Sequence, residues 1–471
     1  MEPIMRSIGV RCVLAGLVAT ALVSTGCTEL FVFFGPGGPF GPGGSTTVTP
    51  TSNTIAAPIF SSQAIDPTLE ATAGARVIVV ADMDGDGLDD LVSGSNESQP
   101  IQLHMRTGAA VAYDTFSVAG GGPISEMTNL EVTDFDGDGN PDVAVLATDT
   151  GFTPVDGASI RGAVILLFAP DDPRDQLGWT EVTISQTFVI PGDATGMTAF
   201  AIADMNGDGL PDIVLGSNEV DNTDVIRLFL NPGGANARDG GAWTQAADVI
   251  TLDVNLITDL DVADLDQDGD MDIVATFPTS ATFNIRWLVN PLTEAGVAAA
   301  EAGNWERRIL GQQSERDPDN QGGDAIALGD IDGDGDTDVA VAFATLSLVQ
   351  WFENPGAPFI QQQTFPWSVY NLGQLVEGKS INQLQLVDLN MDGDLDAFVT
   401  ASGNMVGFQR GSNVQDFWNG FSILATDPVA DIGRTAFSDV NADGKLDIIT
   451  PFDRDGVAQD SFLIFLRLSG N

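Results

Sequence analysis

Residues 54–471 read as a succession of short apolar runs broken by turns rich in Asp and Gly. The runs RVIVVAD, NLEVTD, AFAIAD, DLDVAD, AIALGD and QLQLVD each end at an Asp that opens such a turn. The turn is followed by DLVSG, DVAVL, DIVLG, DIVAT, DVAVA, DAFVT or DIIT. Short β-branched segments on both sides of a turn predict strands joined as a hairpin. A third run follows in each unit: PIQLHM, AVILLF, VIRLFL, NIRWLV, LSLVQWF, MVGFQ and SFLIFL. In three units it ends in Asn-Pro, at Asn231-Pro232, Asn290-Pro291 and Asn354-Pro355, where Pro stops a ladder and makes a turn. A fourth strand is expected to begin at Trp179, Trp243, Trp305, Trp367 and Trp418, with Tyr113 in the same slot of the first unit.

The turns share one nine-residue frame, repeated seven times, with Asp at position 1, Asp or Asn at 3, Asp at 5, Gly at 6 and Asp at 9. A fixed motif at spacings of tens of residues marks a repeat architecture. Side-chain oxygens at 1, 3, 5 and 9 with the main-chain carbonyl at 7 can wrap one hard cation, and Gly at 6 permits the sharp turn. The candidate ligands of loop 1 are Asp82, Asp84, Asp86, Leu88 and Asp90, and those of loop 2 are Asp134, Asp136, Asp138, Asn140 and Asp142. Loop 3 offers Asp204, Asn206, Asp208, Leu210 and Asp212. Loop 4 offers Asp264, Asp266, Asp268, Asp270 and Asp272. Loop 5 offers Asp330, Asp332, Asp334, Asp336 and Asp338. Loop 6 offers Asp388, Asn390, Asp392, Asp394 and Asp396. Loop 7 offers Asp439, Asn441, Asp443, Lys445 and Asp447, and with its basic residue it is the weakest of the set, followed by loop 3. Calcium, which takes six to eight oxygens in irregular geometry, suits this donor set better than magnesium. Two carboxylates ~4 Å apart repel by roughly 4 kcal/mol at an effective dielectric near 20, so a cation should hold each loop closed.

Position 12 is Ser93, Val145, Leu215, Ala275, Val341, Val399 or Thr450, so the bidentate acid of an EF-hand is missing, and a strand follows where that motif has a helix. The motifs instead resemble the FG-GAP/VCBS repeats of the integrin α-subunit β-propeller and of many bacterial surface proteins. That resemblance implies a calcium loop between the first two strands of each four-stranded blade. Seven repeats then imply an all-β fold, a seven-bladed β-propeller. Blade 7 lacks its own fourth strand, because the chain ends just after SFLIFL. Residues 54–66, with Phe60 in the aromatic slot, are expected to complete blade 7 and close the ring, since a propeller hides its sheet edges.

The first 53 residues are of another kind. Arg6 and Arg11 precede the uncharged run CVLAGLVATALVST, which is too short to span a bilayer and has the shape of a secretory signal. It ends in Ser24-Thr25-Gly26-Cys27, which resembles the bacterial lipoprotein cleavage box, although Ser24 stands where that box carries Leu or Val. The expectation is a signal peptide over 1–26 and lipid on Cys27, with ordinary cleavage or a retained anchor as alternatives. Residues 27–53 read as a flexible Gly/Pro/Ser/Thr-rich tether, and 54–471 as the propeller. The localisation expected is export, with the chain lipid-anchored to the envelope and facing the periplasm or the outside. Cys12 would leave with the signal, so the mature chain has no disulfide, and the acidic loops become its expected staples.

Composition narrows the function. Lys plus Arg is 18 against 67 Asp plus Glu, a net charge of −49, which argues against nucleic acid as a partner. The single His, His104, rules out His-based metal sites and relays, and its alternation in PIQLHM puts it on a polar face that is expected to be exposed. The Trp residues recur at a fixed place in each unit, which favours packing between blades over glycan stacking. No separate catalytic domain is visible, so an enzyme is not expected. The reading is a calcium-stabilised, monomeric binding, adhesion or scaffold module with up to seven structural Ca²⁺ and an unidentified protein or glycan partner at the cell surface. A carbohydrate-binding or polysaccharide-lyase-like protein is the alternative.

Overall fold

The alternating runs form seven antiparallel sheets. The computed structural model describes residues 59–65, 75–95, 101–108, 111–118, 127–147, 159–189, 197–218, 224–246, 249–252, 257–277, 285–297, 305–310, 323–356, 360, 367–424, 430–454 and 461–469. The signal, Cys27 and the tether lie outside these residues. The first, innermost strands are Ala75–Ala81, Met127–Thr133, Met197–Ala203, Asp259–Ala263, Ala325–Gly329, Ile381–Val387 and Ala436–Ser438. In blades 1 to 6 the strands pair in chain order from this inner strand outward. The outer strand of blade 3 is interrupted, with Thr244–Gln245 and Ile250–Leu252 both on Asp224–Leu230. In the seventh sheet the fourth position is taken by Ile59–Ala64, antiparallel to Ser461–Ser469. The chain is thus a seven-bladed, all-β propeller, with short helices at Gly234–Arg238 and Leu292–Ala295 among the described residues.

Blades meet face to face, and each of the seven apolar clusters draws on two adjacent blades. The Trp slots explain how. Trp287 on the third strand of blade 4 lies edge-on to Trp367, which opens the outer strand of blade 5, with ring centroids 6.2 Å apart. Trp243 of blade 3 meets Phe135 of the loop in blade 2 in the same way. Such edge-to-face pairs add ~0.5–1.5 kcal/mol beyond area burial. Trp243, Trp287, Trp305, Trp351, Trp367 and Trp418 are all buried. Arg308 stacks on Trp287 at 4.5 Å and pairs with Glu306. Blades 7 and 1 are joined directly: Arg434 N–H donates to the Arg76 carbonyl at 2.9 Å, and Ile78 N–H donates to the Arg434 carbonyl at 3.2 Å.

This packing corrects the expectation for His104. It is 1% exposed, with Nε2 2.8 Å from Ser93 Oγ and Nδ1 2.9 Å from Thr115 Oγ1. The alternation was real, but both faces of a blade are covered by neighbouring blades, so the polar face of this strand is interior too. Ser93 is equally buried, which denies this Ser-His pair the access a nucleophile needs.

Candidate metal centre

Each loop is shaped by its own Asp residues. The position 1 carboxylate accepts the amide N–H of Gly at position 6 in all seven loops, at 2.7–3.1 Å. The position 5 carboxylate accepts the amide of position 7 in all seven, at 2.8–3.2 Å. These short side-chain-to-backbone bonds bend the chain around the carboxylates. Position 4 turns through the left-handed region as well. It is Gly85, Gly137, Gly207 or Gly333 in four loops, whereas Gln267, Met391 and Ala442 hold φ of 60°, 62° and 55° in the others.

The result is convergence. Asp82, Asp84 and Asp86 offer oxygens within 4.8 Å of one another, as do Asp264, Asp266 and Asp268. In loops 2 and 5 the trios are Asp134, Asp136 and Asp142, and Asp330, Asp332 and Asp338. Such sets can hold a metal ion. Loops 3, 6 and 7 carry Asn206, Asn390 and Asn441 at position 3, where an amide oxygen accepts the position 5 N–H as Asp does in loops 1, 2 and 5. The donor set fits a hard cation on a second count: Asp268 Oδ2 and Asp270 Oδ1 in loop 4 are buried acceptors without a hydrogen-bond partner. Burial first, then a hydrogen bond shared with Asp268 and repulsion from it, pushes Asp270 up to about 7. Cationic side chains already reach some loops: Arg174 contacts Asp84 at 2.5 Å, Arg238 contacts Asp136 and Asp138, and Lys445 contacts Asp443 at 3.0 Å.

Position 9 has a further role that the sequence reading missed. Its Oδ1 accepts the amide N–H of a residue at the end of the third strand or just past it in every blade: Arg106, Ala169, Asn231, Asn290, Asn354, Arg410 and Arg467. In loops 1 to 5 its Oδ2 accepts the amide of position 2. Burial, partly offset by these bonds, raises Asp90 and Asp447 to about 6, Asp142, Asp212 and Asp396 to about 7, and Asp272 and Asp338 to about 8. Each oxygen retains a second lone pair, so the same group can bind a cation and tie the loop to the third strand.

The Asn-Pro turns extend this tie across blades. Asn290 Nδ2 donates to the carbonyl of Met271 in its own loop and to that of Met205 in the preceding blade's loop, both at 3.0 Å. Asn231 reaches Pro211 and Phe135 in the same way, and Asn354 reaches Thr337 and Leu265. Arg467 fills this slot in blade 7 and donates to the Leu389 carbonyl of loop 6. The recurring Asn at one place in three units is the sequence signal for this clasp. Asn290→Ala leaves two buried carbonyls unpaired and should cost about 2–4 kcal/mol in urea unfolding. A loss below about 0.5 kcal/mol, the range of an ordinary surface change, would refute the clasp.

Residues 82–145 and 204–275 match the family model of the FG-GAP-like repeat. Those two stretches of the seven-bladed propeller carry FG-GAP-like repeats. The matched stretches hold four of the loops, and the remaining loops repeat the same frame and hydrogen bonds. An FG-GAP propeller supports a binding or scaffold module in general. Among solved structures, a BBS1N chain crystallised in complex with ARL6DN and soaked with lead is similar at 11% identity, covering 86% of this chain and 96% of that one, with a TM-score of 0.49. The major Malassezia sympodialis allergen Mala s 1 is similar at 8% identity over 67% and 91% of the two chains, with a TM-score of 0.38. No curated protein matches the chain.

Proposed function

We propose that this FG-GAP propeller is a calcium-stabilised binding or scaffold module of the cell envelope, exported and held by lipid on Cys27. The convergence of three carboxylates in each of four loops carries the calcium half of this reading. Position 1, 3, 5 and 9 oxygens, with the position 7 carbonyl, would hold the ion, which supplies the positive charge that lets the carboxylates stay together. The chain's own residues do the rest. Position 9 transmits loop closure to the third strand, and the Asn clasp transmits it to the next blade. Calcium is therefore structural. The glycan-stacking alternative needs exposed aromatic rings, whereas six of the seven Trp are buried in the blade interfaces. Equilibrium dialysis with radioactive calcium tests the reading. At least four sites are expected, and Asp332→Asn with Asp334→Asn should remove one. No saturable binding at about 1 mM calcium, the weak end for extracellular modules, would refute it.

A further inference from the structure

The inner strands enclose a central cavity of about 700 Å³, within the usual range for small-molecule pockets. Its polar lining follows a pattern set five and three residues before each loop. Blades 2, 4 and 6 carry Asn129 and Glu131, Asp259 and Asp261, and Gln383 and Gln385. Blades 1, 3 and 5 carry only Val or Ala at these positions, and blade 7 carries Arg434 and Ala436.

The outer layer of this lining is consumed by the fold. Asp259 Oδ2 accepts the amide of Ile326 on the next blade at 3.1 Å, and Gln383 Oε1 accepts that of Thr435 at 2.7 Å. Each side chain thereby caps an edge amide on the following blade. The inner layer is only partly used in this way. Asp261 takes the amides of Val262 and Leu328. Gln385 Oε1 is fully buried and has no hydrogen-bond partner. Glu131, among the described residues, has no hydrogen bond, and Arg434 is the one charge that stabilises its ionised form. Arg434 is shared, because it also lies 3.5 Å from Asp259. One guanidinium therefore serves Glu131 and Asp259 and leaves Asp261 without a cation, and burial holds all three carboxyls above the ordinary carboxylate range. Buried acceptors without donors are costly, and a donor-bearing cation relieves both the charge and the lone pairs. A bare divalent ion does not fit. Among the described residues, the acidic trios with oxygens within 4.8 Å lie only in the loops. The channel acceptors stand on blades 2, 4 and 6, so only a molecule can span them.

We propose that the central channel binds a small aliphatic diamine, with its ammonium groups on Glu131 and Asp261. A second cavity of about 370 Å³ shares Asp259 and Arg434 with the first and lies at the strand starts, the end away from the acidic loops. The proposal does not rest on calcium binding by the loops. Titration calorimetry of the full chain with 1,4-diaminobutane tests it, run in about 2 mM calcium and 0.15 M salt to occupy the loops and screen the surface. One saturable site is expected, with no heat from 1,4-butanediol. Glu131→Gln should weaken it about tenfold or more, the scale of one charge-assisted hydrogen bond. Asp261→Asn should act in the same direction, whereas the exposed Glu377→Gln should not. Both channel variants are near-isosteric and remove a desolvated charge, so the fold should persist, as an unchanged or raised melting temperature will show. Equal affinity in the parent and both channel variants, or no saturation by about 10 mM diamine, would overturn the proposal. Loss of the site on raising calcium alone would overturn it too, by assigning the cavity to the metal.

Discussion

Transfer of residues 54–471 from 2 mM calcium to excess chelator is expected to lower the melting temperature by about 10–15 °C. With a dissociation constant of ~10⁻⁴ M, about 1–2 mM calcium stabilises each site by about 1.4–1.8 kcal/mol. Seven equal, independent sites then contribute roughly 10–13 kcal/mol, as much as the net stability of a whole domain. Dividing by an unfolding entropy of about 0.9 kcal/mol/K for a chain of this size gives the shift. The loops contain the reason for such dependence. Their carboxylates converge to within 4.8 Å in loops 1, 2, 4 and 5, and without a cation that convergence is repulsive. The repulsion does not stay local, because Asp at position 9 bonds both to its loop and to the end of the third strand, and Asn231, Asn290 and Asn354 carry the strain into the preceding blade. Differential scanning calorimetry of the two samples decides the matter. Coincident curves would mean that the loops are ordinary Asp-Gly turns and that calcium has no part in the fold.

Much of this architecture was legible because the loop fixes the phase of everything around it. Once seven Asp-rich frames are aligned, the strands before and after them follow from β-branched alternation, and the Trp at 179, 243, 305, 367 and 418 fall directly before the outer strands. What escaped was whatever depends on two blades at once. His104 sits in a strand whose polar face is interior only because a neighbouring blade covers it. The Asn before Pro looks like a turn residue until its side chain is seen to reach a carbonyl of the preceding blade's loop. The alternation of Asn129/Glu131, Asp259/Asp261 and Gln383/Gln385 with Val and Ala was present in the aligned inner strands. Its meaning required knowing that these strands surround a common channel and leave edge N–H groups to be capped. Local pattern reports which element a residue joins. It does not report which surface closes over that element.

Removal of residues 28–66 is expected to turn the chain into an aggregating species. Ile59–Ala64 covers the outer edge of Ser461–Ser469, whose sequence SFLIFLRLS is apolar and strongly β-prone. An exposed edge of that composition is a template for pairing with another chain. The segment also plugs both interfaces of blade 7. Phe60 packs in the cluster holding Phe398 and Phe465, between blades 6 and 7, and Ile65 packs with Ile78 and Ile464, between blades 7 and 1. Burial of each of these side chains is worth ~1.5–3 kcal/mol. The ring retains its backbone contact between Arg434 and Arg76, so the inner part of blade 7 has an anchor of its own. The loss therefore falls on the outer half of the blade, and exposed edge rather than global unfolding should dominate. Size-exclusion chromatography with light scattering should show oligomers for a chain beginning at residue 67 and a monomer for one beginning at 54. A synthetic peptide of residues 54–66, added during refolding, should restore the monomer by filling the edge. A soluble monomer of unchanged stability from residue 67 onward would show that the N-terminal strand is dispensable and that blade 7 closes without it.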